Sequence, residues 1–222
     1  MDRPYDIITF DCYGTLIDWG DGIGAAFAAA AARDGVALDR TAVLGTYAEV
    51  EPVVEAETYR SYRAVLTETA RRVAVRLGWP LARERAHFLA DSLPHWQPFA
   101  DTNPALERLT AAGYRLGILS NVDDDLLACT CCHFSVSFDP LVTAQQVGSY
   151  KPAPGHFHIA RDRIGGRRWM HAAQSYFHDV VPARTLGVAV AWINRKGSVT
   201  PDSGRADREF RTLTELADWL TQ

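Results

Sequence analysis

The run Ile7-Ile8-Thr9-Phe10 is apolar, rich in β-branched residues, and stops abruptly at a carboxylate, Asp11, before a glycine turn at Gly14. A short run of this kind reads as a buried parallel strand, expected from about Tyr5 to Phe10. Asp11 then falls at the carboxyl edge of the sheet, where open α/β folds bind their ligands, and is a candidate nucleophile. The residue two positions later, Tyr13, limits the chemistry that nucleophile can perform. With 222 residues the chain can hold one large domain or a core domain plus a small one. Its hydrophobic fraction of 47% is ordinary for a globular protein, and a net charge of −4 without a basic block argues against a nucleic-acid partner. No apolar stretch approaches a membrane span, and the N-terminus has no signal-peptide pattern, so no membrane partner and a cytoplasmic location are the expectations.

Residues 20 to 92 read as helix only. Ala25 to Ala32 is almost all alanine and Gly35 supplies a stop. A helix from about Arg40 is expected to break at Pro52. A long helix is expected from about Glu55 to Leu77, ending at Gly78-Trp79-Pro80, and a short one from Ala82 to Ser92; Pro94 to Pro98 reads as a strap. From residue 99 helices and strands alternate. Asn103-Pro104 reads as an N-cap and first helical position, with Gly113 closing that helix. Tyr114–Leu119, Leu141–Thr143, Ala173–Phe177 and Val188–Ile193 read as strands; Asp123–Cys132, Pro154–Ile164 and Thr212–Leu220 read as helices. Five strands separated by helices imply an α/β fold with a doubly wound parallel sheet. The expected core comprises residues 1–18 and 98–222, and residues 19–97 form an all-helical cap. The insertion leaves the sheet just after the candidate nucleophile, so it can close over it, exclude water and shape a pocket.

Four separated spots fall at strand C-termini: Asp11 with Thr15, Ser120-Asn121, Lys151, and Asp179. Each alone has an ordinary explanation as a helix cap or a solvated loop residue. Together, on one sheet edge, they make an anion-handling centre. Lys151 near Asp11 would hold it ionised and lower its pKa. Ser120 and backbone amides could bind the anionic end of a small-molecule substrate.

In this order the four spots resemble the motifs of the haloacid dehalogenase superfamily, over essentially the whole chain. Asp11-x-Tyr13-Gly14-Thr15-Leu16 is similar to the type II (L-2-haloacid) dehalogenase branch. The phosphatases of the superfamily mostly carry a second Asp at the place of Tyr13, to protonate a leaving alcohol. Tyrosine, with an ordinary pKa near ~10, is a poor acid at neutral pH, whereas a departing halide needs no proton. The resemblance implies a cofactor-free hydrolase. Asp11 attacks the carbon bearing the halogen, and water then opens the aspartyl ester to release a 2-hydroxy acid. It implies that Thr15 and Lys151 position Asp11, Ser120 binds the substrate carboxylate, Asn121 helps cradle the halide, and Asp179 orients Lys151 or the hydrolytic water. Tyr13 and Ser175 fall on the substrate side, and a homodimer is the expected assembly. The chain departs from the pattern in three places. Gln174-Ser175-Tyr176 stands where that branch has Ser-Ser-Asn. Phe157 stands where it has a tyrosine. Its halide-side cap arginine has only Arg40, Arg60 and Arg63 as candidates.

Three other readings compete. A metal-dependent phosphatase on the same fold would hold Mg²⁺ with Asp11, the Tyr13 carbonyl and Asp179, with Asp123 and Asp124 near the same edge. The acid such enzymes often carry four or five positions beyond the last Asp is here Ala183 or Arg184. Gly20-Asp21-Gly22-Ile23-Gly24 suggests a nucleotide-binding module, but it does not follow the strand directly and reads better as a flexible entry into the cap. A non-catalytic binding protein is the third. Cys129-Thr130-Cys131-Cys132-His133 matches a haem-attachment pattern, yet small thiols on a helix are the plainer reading. His178 is a rim or core histidine or a polar substitute beside Asp179. Tyr59, Tyr62 and Leu66 read as a packed helix face, Trp19 as an apolar wall, His156 and His158 as facing apart, and Arg161, Arg163, Arg167 and Arg168 as solvated surface.

Overall fold

A computed structural model describes residues 3–199 and 206–222. Its centre is β1 (Ile7–Phe10), whose four residues are all buried, as a strand covered on both faces must be. β1 pairs in parallel with β2 (Arg115–Ser120) on one side and β4 (Trp169–Ala173) on the other. With β3 (Leu141–Thr143), β5 (Ala189–Ile193) and β6 (Arg208–Phe210) the sheet has, among the described residues, six strands in the order β3-β2-β1-β4-β5-β6. The order reverses at β1, so the crevice at its carboxyl end is the place such a sheet offers a ligand.

Two strand expectations are corrected. β6 joins the sheet as a sixth strand; Arg208 and Glu209 are exposed, so it carries no apolar signal. The strand expected at Ala173–Phe177 lies earlier, at β4, because the buried polar residue His171 interrupts its apolar run. Tyr176–Val180, just beyond β4, is instead a single π-helical turn.

After β1 the chain leaves the sheet and forms α1 (Trp19–Ala32), α2 (Arg40–Glu55), α3 (Tyr62–Arg76) and α4 (Phe88–Ser92). It returns where Ile17 and Pro98 form an antiparallel bridge. Phe27, Leu66, Val73, Trp79 and Leu89 are buried among these helices, and Phe27 meets Phe88 edge-on at 5.1 Å. The expected break at Pro52 does not occur, and α2 runs on to Glu55. Pro52 sits in the last turn, where a missing N–H forfeits one bond near an end that frays anyway. The long helix expected from Glu55 begins only at Tyr62, with Ser61 accepting from the Ala64 N–H at 3.3 Å. The short helix expected from Ala82 is a 3₁₀ turn at Arg83–Arg85 followed by α4.

The remaining helices are α5 (Thr102–Ala111), α6 (Asp124–Cys131), α7 (Ala144–Val147), α8 (Gly155–Ile164), α9 (Val181–Thr185) and α10 (Leu213–Leu220). α5 begins earlier than expected, with Asp101 at the N-cap position. Asn103 instead joins two loops, donating to the His133 carbonyl at 2.9 Å and accepting from the Ser135 N–H at 3.2 Å. The four cysteines are free.

The glycines at the start of the cap are not a flexible entry but part of α1. A Cβ on Gly22 would lie 2.3 Å from Cγ of Trp96, and one on Gly24 would lie 2.8 Å from Nη1 of Arg40. Both therefore mark close packing. Gly22→Ala is expected to destabilise the protein by about 1–3 kcal/mol through overpacking against the Trp96 ring, read as a lower urea midpoint at unchanged slope.

Candidate active site

Asp11 leaves β1 into a turn that glycine makes feasible. Gly14 has φ +97°, and a Cβ there would stand 2.8 Å from Nε1 of Trp19. The turn returns Thr15 beneath Asp11, so that its hydroxyl donates to Asp11 Oδ2 at 2.8 Å and accepts from the Gln174 N–H at 2.9 Å. Arg195 holds the same loop from behind, donating to the Thr15 carbonyl at 2.9 Å while pairing with Asp101 at 3.0 Å.

The side chain of Lys151 is 1% exposed. Its ammonium donates to Asp11 Oδ1 at 2.9 Å, to Asp179 Oδ1 at 2.6 Å and to the Leu119 carbonyl at 2.8 Å. Three donors meet three acceptors, which is what a buried ammonium requires. Asn121 fixes the backbone beneath it, accepting from the Lys151 N–H at 2.7 Å and donating to the Lys151 carbonyl at 3.1 Å. Asp179 also accepts from His171 Nε2 at 2.9 Å. Behind His171 stand Thr9, 2.9 Å from its Nδ1, and Trp169, whose indole N–H donates to Thr9 at 2.7 Å. An ionised carboxylate can only accept, so the contact with Asp179 places a ring N–H of His171 at Nε2.

The electrostatics differ from expectation at one point. Lys151 does pull the Asp11 pKa down, but burial outweighs it and Asp179 repels it further, so Asp11 lies above the ordinary carboxylate value. Asp179, though equally buried, lies below it, because Lys151 and His171 both favour its charge. Burial opposes the charge on Lys151, yet the two carboxylates more than offset that and raise its pKa.

These groups open onto a cavity of about 240 Å³ between the sheet edge and the cap. Asp11, Tyr13, Ser120, Asn121, Lys151, Ser175 and Asp179 line it, whereas Thr15 sits behind Asp11. The Tyr13 hydroxyl is bonded to Thr130 Oγ1 at 2.9 Å, and its ring meets Trp96 edge-on at 5.9 Å. Burial raises the Tyr13 pKa far above its ordinary value. Tyr13 is therefore a wall rather than a proton donor. Ser175 accepts from the His178 N–H at 3.2 Å and lies 3.0 Å from its Nδ1. The Ser120 hydroxyl and Asp179 Oδ2 are buried without a hydrogen-bond partner, which marks both as places for a bound group or water.

Trp19 lines the cavity and Tyr62 does too, but Tyr59 precedes α3 and donates to the Ala144 carbonyl at 3.1 Å. None of the candidate cap arginines reaches the cavity. Arg40 pairs with Asp21, Arg60 with Glu57, and Arg63 with Asp125. The wall from α2 instead carries Glu51 and Glu55; the sequence reading did not single them out, because the break expected at Pro52 and a new helix from Glu55 put them on different elements. Asp123 accepts from the N–H groups of Tyr62 and Arg63 at 2.8 and 2.9 Å, and Asp124 accepts from Thr143 at 2.7 Å. Both are thereby occupied. Ala183 is buried and Arg184 pairs with Asp207. Among the described residues no cluster of three or more His, Cys, Asp or Glu is arranged to hold a metal. His156 donates to the Ser120 carbonyl at 3.1 Å from behind the site, while His158 is exposed. Phe157 is buried with its ring edge-on to His171 at 5.2 Å.

A family model for haloacid dehalogenase-like hydrolases matches residues 5–187. The chain belongs to that family. It is 28% identical to (S)-2-haloacid dehalogenase H-109 of Pseudomonas putida, over 98% of this chain and 99% of that one. It is 30% identical to another (S)-2-haloacid dehalogenase of the same species, over 73% of each. Among solved structures, an L-2-haloacid dehalogenase from Xanthobacter autotrophicus with chloropropionic acid covalently bound superposes with a TM-score of 0.80, at 18% identity, covering 96% of this chain and 97% of that one. This hydrolase thus shares its fold with enzymes of the branch its first motif resembles, and no helix among the described residues is long and apolar enough to cross a membrane.

Burial raises the pKa of Glu51 from 4.5 to about 7, with the Tyr62 hydroxyl at 3.2 Å pulling the other way. The fold therefore favours its protonated form. That contribution is fully present below about pH 4.5 and is lost as pH rises to about 7. Glu51→Gln is expected to exceed the native chain in stability by about 1–3 kcal/mol at pH 8 and to show no gain at pH 4, as measured by urea unfolding.

Proposed function

We propose that this hydrolase displaces halide from C2 of a short 2-halo carboxylic acid, with Asp11 as nucleophile. The observation that carries the reading is the Asp11 carboxylate, held by Lys151 on one oxygen and by Thr15 on the other, facing a cavity in which Tyr13 replaces a proton donor. An Asp11 oxygen forms a bond to C2 while the carbon–halogen bond breaks, and halide leaves with the electron pair. The halide needs no proton, so a tyrosine whose hydroxyl is engaged elsewhere costs the reaction nothing. Water then attacks the carboxyl carbon of the aspartyl ester, releasing the 2-hydroxy acid and restoring Asp11. In this reading Asp179 Oδ2 orients that water and the Ser120 hydroxyl binds the substrate carboxylate; that both atoms are buried without a hydrogen-bond partner among the described residues supports these roles. Asn121 acts through its grip on the Lys151 backbone. Residues 19–97 serve as the cap over a core of residues 1–18 and 98–222. No step calls for a cofactor.

The comparisons favour this over a Mg²⁺-dependent phosphatase, since curated relatives that match over 98% and 73% of this chain are (S)-2-haloacid dehalogenases. The deciding assay is halide release from a panel of 2-halo acids with and without EDTA, beside an aryl phosphate with Mg²⁺. Release that survives EDTA is expected; phosphate release dependent on Mg²⁺ would reverse the reading. Asp11→Asn is expected to lower kcat by about a thousandfold or more with an unchanged circular-dichroism spectrum. Lys151→Ala should cost on the order of a hundredfold or more. An Asp11→Asn variant that keeps most of the activity would remove Asp11 from the mechanism.

A further inference from the structure

The wall that α2 contributes to the cavity is acidic. Glu51 and Glu55 stand one turn apart on the same face of α2, and both line the cavity that holds Asp11 and Asp179. Among the described residues Lys151 is the single Lys or Arg lining it, and its three N–H groups are already directed at Asp11, Asp179 and the Leu119 carbonyl. The Glu55 side chain is 6% exposed, with His178 Nε2 3.9 Å from its Oε2. The Tyr62 hydroxyl bonds one Glu51 oxygen. Burial holds both glutamates above the ordinary carboxylate range, Glu55 being repelled by Glu51 as well. Glu55 also interacts with the Asn121 side chain and feels the Lys151 charge, but among the described residues neither glutamate has a cation of its own, and burying two carboxyl groups in this way costs stability. The buried Ser120 hydroxyl and Asp179 Oδ2, which belong to residues lining the same cavity, have no hydrogen-bond partner among the described residues, so the cavity also offers unpaired polar groups to a ligand.

Resting on the dehalogenase reading, we infer that the substrate is a 2-halo acid that also bears an ammonium group, bound by Glu51 and Glu55, with its carboxylate at Ser120. An ammonium has three donors and a positive charge; the two glutamates supply acceptor oxygens, and a cation beside them favours the ionised form that burial disfavours. A ligand carrying only a carboxylate meets four carboxyl groups, Asp11, Glu51, Glu55 and Asp179, and gains no new cation.

The test compares two 2-hydroxy acids that differ by one ammonium, lactate and 3-amino-2-hydroxypropanoate, by isothermal titration on the native chain and on Glu51→Gln/Glu55→Gln. The amino compound is expected to bind the native chain at least tenfold tighter, and the double variant to lose that preference. Equal or tighter binding of lactate to the native chain, or a preference that persists in the double variant, overturns the inference. Should the double variant not fold, Glu51→Gln alone is expected to lower the preference at least threefold, and an unchanged ratio overturns it. Halide release is read separately from 2-chloropropionate and 3-amino-2-chloropropanoate. Faster release from the amino acid supports the inference, and release from chloropropionate alone overturns it. Release from neither, with the binding preference intact, overturns the dehalogenase reading and not the cavity's selection for charge.

Discussion

The Lys151 ammonium is the interaction on which the rest of the site depends. A cation removed from water must find acceptors, or it loses its charge. Lys151 finds three, and they come from the end of β1, the end of β2 and the turn after β4. Satisfying one charge therefore ties together three segments distant in sequence. Asp11 and Asp179 each turn one oxygen, Oδ1, to the ammonium; Thr15 takes the second oxygen of Asp11, while Asp179 Oδ2 is left without a partner among the described residues. The bonds continue inward through His171 and Thr9 to Trp169, so Asp179 is set by the sheet interior as well as by the lysine.

The cavity above that centre joins two opposed requirements. Under the proposed reading, a displacement that leaves an ester on Asp11 would benefit from low water content and from a carboxylate made more basic by burial, and the helices over the sheet edge enclose that space. The same enclosure surrounds Glu51 and Glu55. Aromatic rings at Tyr13, Trp19 and Trp96 supply apolar lining, while the two glutamates add acidic groups on the α2 side.

Two parts of this site legible in the sequence share one property: Asp11 and Ser120-Asn121 are polar residues standing where an apolar run stops. Lys151 was expected at the end of a strand but lies in the turn after α7, which intervenes between it and β3; the structure still brings it to the same cavity. Asp179 was legible as a residue but not in its setting. The aromatic pair Tyr176-Phe177 imitates a strand, while the real strand hides behind a histidine that is buried because Asp179 and Thr9 satisfy it. The glutamates were illegible for a related reason. Periodicity separates buried from solvated faces by polarity, and a carboxyl group turned into a cavity carries the same letter as one turned to water. Pro52 misled because its cost depends on position within a helix, and Asn103 because its amide bonds across to another loop instead of capping its own helix.

The start of α3 has a consequence for how the molecule assembles. Its first two N–H groups, of Tyr62 and Arg63, donate to the carboxylate of Asp123, a residue of the core just past β2. Close by, Tyr150 donates to the Arg60 carbonyl at 2.8 Å. The first turn is the costly one in any helix, because several dihedrals are fixed before hydrogen bonds accumulate. Here the partners that lower this cost belong to the segments beyond β2 and α7 rather than to α3 itself. The first turn of α3 is in this sense templated by the sheet side of the molecule, and whatever loosens the loop beyond β2 loosens the start of that helix with it.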